Sequence, residues 1–513
     1  MGEMTRRRFL LAGAQGMALA AVPLIFKIDP IAAFITPDKT HRDLAEYYRH
    51  FGVDEKVVRE IMEAALSKGG DYCDVYFQHA IGSTVVLEDN VVNRAYTYVD
   101  MGVGIRVLKG DQTGFSFTEA LTPEAMKQAA RTAANIASAG QGAAPSRFDF
   151  HPTPDYYPVE TRWGDVGIDT KIPYLKKVND RILAGDPRVM KARVYFGDED
   201  SHILLATSEG RVVCDYQPMV RLSGICTGEK DGRRETGYFT LRNRADISSL
   251  TPEALDMVGD KAVAQAMKMF EAVKPDGGEM PVVLGAGGSG ILLHEAMGHP
   301  FEADYNRRGE SIFAEKMGQP VAEKFVSIVD DGTNEGIGGS INVDDEGYDS
   351  QKTMLVTNGT LTSYLHDRLS SKHYGVAPTG NGRRQSFRYS PIPRMRNTYM
   401  LPGPHGRDEI ISSVSKGVYV ESFTNGEVRI GSGDFTFYVK TGNLIENGKL
   451  TTPVKDINLI GNGPDVLGKI TMVADDFEMD RGGWTCGKSG QSVPVSLGMP
   501  TVLVSSITVG GVS

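Results

Sequence analysis

The chain has little cysteine: Cys73, Cys214, Cys226 and Cys486 are the four among 513 residues. Thiols this few and this scattered exclude a disulfide-built scaffold, so the fold must rest on buried apolar surface. Cys214 and Cys226 can pair in an oxidising compartment, but two buried free thiols are the simpler reading. An excess of positive charge is also missing. Lys and Arg number 55 against 65 Asp and Glu, a formal net charge of −10. Such a balance argues against nucleic acid as a partner, because binding it needs a basic surface that displaces counterions. A local basic cluster, Arg383, Arg384 and Arg388, reads as a solvated or internally paired face. The third absence is an apolar run of about 20 residues, the length a membrane-spanning helix requires. The nearest approach, from Leu11 to Phe26, is diluted by Gly13, Gln15, Gly16 and several alanines, so no stable membrane insertion is expected.

What that run does have is a charged lead-in, Thr5-Arg6-Arg7-Arg8-Phe9-Leu10. A basic start before a moderately apolar stretch is the pattern of a secretory signal, and the arginine pair points to the twin-arginine route. Residues 1–30 are therefore set aside as a signal, with Ala18-Leu19-Ala20 as a candidate cleavage site. The expected location is periplasmic or otherwise extracytoplasmic.

The chain as a whole is 41% hydrophobic and 23% charged, the composition of a soluble globular protein, and long enough for two or three compact units. The pattern predicts an α+β fold: an N-terminal α+β domain followed by a β-rich C-terminal domain. Residues 41–67 carry apolar positions at helical spacing. Asp74-Val75-Tyr76-Phe77, Thr84-Val85-Val86-Leu87 and Gly104-Ile105-Arg106-Val107-Leu108 read as strands set apart by Gly, Asn and Asp. Thr122-Pro123-Glu124 reads as a helix start: N-cap, proline in the first turn, early acid. This first unit runs over 41–138. Residues 139–165 carry Gly, Pro, Ser and Asp without periodicity and read as a linker. A central α+β region, 166–275, closes with Thr251-Pro252-Glu253, the same cap logic, although no internal sequence repeat is evident. In the β-rich region, 276–513, Asn358-Gly359 sits between two alternating apolar runs, a strong hairpin signal. Asn447-Gly448 is a second candidate turn.

One early helix in that region carries the chemistry. Gly290-Ile291-Leu292-Leu293-His294-Glu295-Ala296-Met297-Gly298-His299 contains H-E-x-x-x-H. Imidazoles are good zinc ligands, and a carboxylate beside the metal can take a proton from water. In the familiar H-E-x-x-H helix the histidines are four apart and share a face. Five apart, they are rotated about 140° from each other on a regular helix. Both can bind one metal only if the helix widens, as in a π turn, or ends near the second. Gly298 eases unusual backbone angles and Pro300 prevents a regular helix from continuing, so the break is expected between them.

The preceding Gly285-Ala286-Gly287-Gly288-Ser289-Gly290 matches G-x-G-x-x-G after a strand-like Pro281-Val282-Val283-Leu284, a dinucleotide-binding context. Hairpins rather than repeated βαβ units follow it, so the glycines read better as letting a strand approach the helix closely. Two histidines leave a zinc site short of a protein ligand. Glu302 and Asp304 are local candidates; His366, His373 and Cys486, the last in a glycine-rich loop, are remote ones. Spacing does not choose among them.

Several stretches taken together resemble the TldD/PmbA family, once labelled modulators of DNA gyrase. They are the histidine motif with Glu302 and Asp304; Tyr364-Leu365-His366-Asp367; Pro391-Ile392-Pro393-Arg394-Met395-Arg396-Asn397-Thr398; and Cys486-Gly487-Lys488-Ser489-Gly490-Gln491 with Val493-Pro494-Val495. Gly102-Val103-Gly104-Ile105-Arg106-Val107 is similar as well. The resemblance implies an N-terminal α+β domain, a β-rich C-terminal domain, and dimers around an enclosed cavity. It implies zinc held by His294, His299 and Cys486, with Glu295 as catalytic base, and an active subunit that pairs with itself or with a PmbA/TldE-like paralogue lacking the metal motif. The expected activity is zinc-dependent hydrolysis of peptides or unfolded polypeptides. The alternative is a non-catalytic, zinc-containing, peptide-binding subunit of such a complex.

Overall fold

The computed structural model describes residues 43–137, 140 and 142–511. The expected signal segment lies outside the described residues. The helical stretch expected over 41–67 is made of two helices, α1 (Leu44–Phe51) and α2 (Glu55–Leu66). Gly52, at φ 65°, ends the first in a left-handed cap, and Asp54 caps the second by accepting from the Val57 amide at 2.8 Å.

The strands then run much longer than the sequence pattern suggests. β1 (Tyr72–Glu88) spans 17 residues, β2 (Val91–Lys109) 19, and β3 (Gln112–Thr118) completes a meander. The two segments read as separate strands around Gly82 are one, because Gly82 stays in register opposite Tyr98. There it leaves room for that ring, which a Cβ would strike at 2.5 Å. The β1–β2 turn has Asp89 and Asn90 at φ 48° and 66°, the doubly left-handed pair of a two-residue hairpin that keeps the strands' twist.

Helix α3 (Pro123–Ala133) follows, then a two-residue strand β4 (Asp149–Phe150) within the stretch read as a linker. Trp163 in the same stretch is buried and donates Nε1–H to the Ala245 carbonyl at 2.9 Å. Next come α4 (Ile168–Ala184), β5 (Val189–Thr207), β6 (Arg211–Lys230), β7 (Arg233–Asn243) and α5 (Pro252–Phe270). All seven strands form one sheet in the order β3-β2-β1-β5-β6, with β4 and β7 both pairing β6. The α2-β1-β2-β3-α3 order thus recurs as α4-β5-β6-β7-α5 about the antiparallel β1–β5 pair. Both closing helices are capped by the threonines read from sequence: Thr122 and Thr251 accept from Ala125 and Ala254, each at 3.3 Å. Val58, Ile61 and Met126 pack on Val75 and Ile105 in one core; Val178, Ile182 and Val258 pack on Val194 and Leu222 in the other.

All four cysteines are free and buried. Cys214 and Cys226 lie on one continuous extended strand, about 40 Å apart at 3.3 Å per residue, too far for any disulfide.

From 278 on, the chain is β-rich, as expected. One sheet runs Thr360–Leu361, Lys352–Thr357, Ile328–Asp331, Asn397–Met400, Gln491–Met499, Glu478–Met479, with Trp484–Lys488 also on Gln491–Met499. The other runs Lys416–Val428, Gly278–Leu284, Val502–Gly511, Ile457–Asn462, Asp434–Glu446, Lys449–Val454, and Lys416–Val428 also pairs Asp434–Glu446, so five of its strands close a ring. Asn358-Gly359 and Asn447-Gly448 make the expected hairpin turns, each with both residues at positive φ. The helical segment from Ile291 to Phe301 packs against strands of both sheets. It is apolar on nearly every side, with Ile291, Leu292, Leu293, Ala296, Met297 and Phe301 at most 3% exposed, as a helix sunk in a core must be. Among the described residues no helix is long and apolar enough to cross a membrane.

Candidate metal centre

The glycine run ahead of the helix works by close approach. Gly287 takes φ 80°, and a Cβ on Gly290 would come within 3.0 Å of the Gly498 backbone, so the strand Gln491–Met499 lies directly on the helix start. One α-helical turn, Ile291–Leu293, then gives way to a π turn over His294–Gly298, closed by the His299 amide donating to the His294 carbonyl. That bond spans five residues, and it returns residues five apart to one side of the helix. The widening has local causes. Gly298 packs where a Cβ would fall on Met395 Sδ, and Pro300, without an N–H, passes the chain into a 3-10 turn over His299–Phe301. The spacing that is awkward for a regular helix is thereby satisfied: the two imidazole centroids stand 5.1 Å apart at 79°.

Cys486 arrives from 187 residues away. It sits not in an irregular loop but on the strand Trp484–Lys488, in a hairpin with Gln491–Met499 turned by Ser489 and Gly490 at φ 51° and 73°. Arg394, fully buried, donates Nη2–H to the Cys486 carbonyl at 2.6 Å and pins the strand from behind. Ligand atoms of His294, His299 and Cys486 all lie within 4.8 Å of one another, and all three residues are buried. Cys486 Sγ is 3.4 Å from His299 Nε2. Glu295 stands at the rim: its carboxylate is 3.9 Å from His299 Nε2, and its side chain keeps 22% exposure against 7% for His299.

A buried charged network supports this cluster. His299 Nδ1 shares a 2.9 Å hydrogen bond with Glu302. The Glu302 carboxylate is also 3.0 Å from Lys488 Nζ, which reaches Asp304 at 2.7 Å and donates to the Pro393 carbonyl at 3.0 Å. Burial pushes the Glu302 carboxyl up, but Lys488 and His299 outweigh it and hold it at about 2. Burial likewise opposes charge on His299, yet Glu302 and Cys486 raise its pKa well above the ordinary imidazole value. For Cys486 burial again raises the pKa; His294 and His299 overcome it and bring the thiol well below its usual range. The group is thus a thiolate facing imidazoles, one of them oriented by a carboxylate through its other nitrogen, which is how metal-binding histidines are held.

Two imidazoles and one thiolate are donors that suit zinc. An orphan atom agrees: His294 Nδ1 is buried without a hydrogen-bond partner, a costly state for a polar nitrogen. The other residues considered fall elsewhere. Glu302 and Asp304 are engaged by His299 and Lys488. His366 is buried against Tyr364 and Tyr374, and burial lowers its pKa to about 4; His373 is exposed. Neither joins the cluster.

The contacts of Lys488 and Arg394 add two residues to the site that no sequence motif singles out. A signal for Lys488 existed: with Ser489-Gly490 taken as a hairpin turn, the period of two puts Lys488 on the same face as Cys486, and both are buried while Gly487 is not.

The comparisons with known proteins agree in family. Three family models match in order: PmbA/TldA metallopeptidase domain 1 over residues 73–137, the central domain over 162–270 and the C-terminal domain over 277–511. A metalloprotease TldD homolog of Haemophilus influenzae is 40% identical over 449 residues, 86% of this chain and 93% of that one. A zinc metalloprotease TldD homolog of Saccharolobus solfataricus is 28% identical over 457 residues, 86% and 97% of the two chains. In fold, the chain is similar to a protein described as a modulator of DNA gyrase from Bacteroides thetaiotaomicron, with TM-score 0.71, 21% identity, and 89% and 99% of the chains covered. TldE from Thermococcus kodakarensis gives TM-score 0.68 at 18% identity, again covering 89% and 99%. With its fold, its histidine helix and all three family domains in sequence order, the chain belongs to the PmbA/TldD metallopeptidase family.

Proposed function

We propose that the chain is a zinc-dependent peptidase in which His294, His299 and Cys486 hold the metal and Glu295 is the general base. The observation that carries this reading is the convergence of two imidazoles and a depressed-pKa thiol within 4.8 Å, beside a carboxylate that is still reachable from solvent. Zinc bound there supplies a Lewis acid for the peptide carbonyl and makes water acidic enough to deprotonate near neutral pH. Glu295, at the open rim, accepts that proton and can deliver it to the leaving amine. Glu302 keeps the His299 ring turned, with Nε2 towards Cys486. Lys488 neutralises Glu302 and Asp304, so that the buried carboxylates do not repel the thiolate.

The substrate class, short or unfolded peptides, rests on the metalloprotease relatives. A partner subunit, either a second copy or a TldE-like paralogue, rests on the fold it shares with TldE. Export by the twin-arginine route rests on Arg6 and Arg7; an Arg6→Lys, Arg7→Lys variant that still reaches the extracytoplasmic fraction disposes of it. For catalysis the test is Glu295→Gln. It should keep stoichiometric zinc and lose peptide cleavage by at least 100-fold, since general-base catalysis contributes about 10²–10⁴-fold. Cleavage at the wild-type rate would remove Glu295 as the base, whereas a zinc-loaded wild type that binds peptides without cleaving them would leave the non-catalytic, peptide-binding subunit as the better reading. Zinc analysis of Cys486→Ala and His299→Ala tests the ligand set, and full zinc in either removes that residue from it.

A further inference from the structure

A cavity of about 290 Å3 lies between the N-terminal sheet and the C-terminal hairpin, and five arginines line it. Arg221, Arg242 and Arg244 come from β6, β7 and the residues after β7; Arg383 and Arg384 come from the C-terminal region. Three acids share the lining, and each is already engaged. Asp198 is 2.7 Å from Lys171, Glu199 accepts from Tyr98, and Asp345 accepts the Arg384 amide at 2.7 Å.

The arginines are less well served. Arg384 pairs with Asp74 at 3.1 Å. Arg242 donates only to neutral oxygens, the Trp484 carbonyl at 2.9 Å and Thr485 Oγ1 at 3.1 Å. Arg383 does the same, to the carbonyls of Met395 at 2.6 Å and Pro494 at 2.9 Å. Arg244 is 4% exposed, faces the Tyr157 ring at 5.4 Å, and has an unpartnered Nε. Asp215, whose carboxyl feels the Arg244 charge, is taken up by Tyr157, Asn342 and Gln217. Among the described residues no carboxylate forms an ion pair with Arg242, Arg244 or Arg383. Burial first, then the like charge of Arg221 and Arg244, pushes Arg242 down to about 10; burial and Arg244 bring Arg383 to about 10 as well.

Buried cations such as Arg244 and Arg383 cost several kcal/mol each unless an anion meets them, and guanidinium forks match the paired oxygens of carboxylate and phosphate groups. We propose that this cavity binds a small oxyanion, a carboxylate or phosphate group, between Arg221, Arg242, Arg244 and Arg383. The site backs onto the metal centre: Thr485 lines the cavity while its neighbour Cys486 stands in the metal cluster, on opposite faces of one strand. Arg242 and Arg383 grip that hairpin through Trp484, Thr485 and Pro494.

The test is calorimetric titration of the zinc-loaded full chain with inorganic phosphate and, separately, succinate, at fixed ionic strength in chloride. Saturable binding of one or both is expected, and which one binds identifies the oxyanion. Arg244→Gln should weaken it at least tenfold. Arg221→Gln, at an exposed position that leaves the fold intact, should weaken it severalfold with zinc content unchanged; it decides the question alone if Arg244→Gln does not fold. No saturable binding of either anion to the wild type, or undiminished binding in Arg221→Gln, overturns the proposal.

Discussion

Glu302→Gln isolates the charge that orients His299. The glutamine keeps the volume of the carboxylate and one oxygen for His299 Nδ1, now 2.9 Å away, but removes the charge that Lys488 meets at 3.0 Å. In the metal-free protein Lys488 and His299 outweigh burial and hold Glu302 at about 2, against a usual 4.5, which corresponds to about 3 kcal/mol of folding stability. The sign follows from the direction of the shift. A carboxyl whose folded pKa is depressed stabilises fully above its unfolded pKa and loses that contribution as pH falls towards the folded value. Guanidinium unfolding of metal-free wild type and Glu302→Gln should therefore show a gap of about 3 kcal/mol at pH 7 and nearly the same at pH 6. Between about pH 4.5 and pH 2 the gap should close. Competition against a chelator at pH 7 should show zinc bound about 10–100-fold more weakly, the usual cost of losing a carboxylate behind a metal-binding histidine. A stability gap of equal size at pH 7 and pH 3, or zinc affinity unchanged within twofold, would refute the reasoning.

Three further outcomes follow from other contacts. In the native, metal-free protein at pH 7, iodoacetamide should modify Cys486 first, because its pKa is depressed, whereas burial raises those of Cys73, Cys214 and Cys226. Peptide mapping reads this, and zinc should protect the site. Gly298→Ala forces a methyl onto buried Met395 Sδ at the π turn. It should cost about 1–3 kcal/mol in urea unfolding and lower zinc occupancy, while a neutral result would show that the widened turn tolerates a side chain. Arg396→Met removes the fully buried partner of Asp330, 2.7 Å away. It should destabilise by about 3–5 kcal/mol, and a loss below 1 kcal/mol would mean that Asn381 and Thr398 suffice to hold the carboxylate.

What could be read from the chain was whatever local chemistry determines. Asn358-Gly359 and Asn447-Gly448 demand positive φ, so their hairpins were visible, and so were the two Thr-Pro-Glu helix starts. The histidine spacing also carried its own answer, a helix that must widen or end, although the π turn sets in at His294, ahead of the Gly298–Pro300 stretch where the break is expected. Strand length was not visible at Gly82, which looks like a separator in one dimension but opposes Tyr98 in two. The recurring α-β-β-β-α order is not legible for a related reason: it resides in pairing order and in the antiparallel β1–β5 contact, and apolar alternation satisfies both copies with little shared beyond the Thr-Pro-Glu start of each closing helix. The third ligand was the hardest, since no spacing rule reaches across 187 residues. What brings Cys486 to the histidines is register. Parallel pairing of Asn397 with Ser496 sets the strand Gln491–Met499 beside the one that follows Arg394, and the close approach of Gly290 to Gly498 lays that strand on the helix start. The Ser489-Gly490 turn then folds Cys486 back opposite Val493, within reach of His299. Each of the three steps is a backbone constraint that rests on glycine or on strand pairing. The ligand is therefore specified by the scaffold around it rather than by a motif.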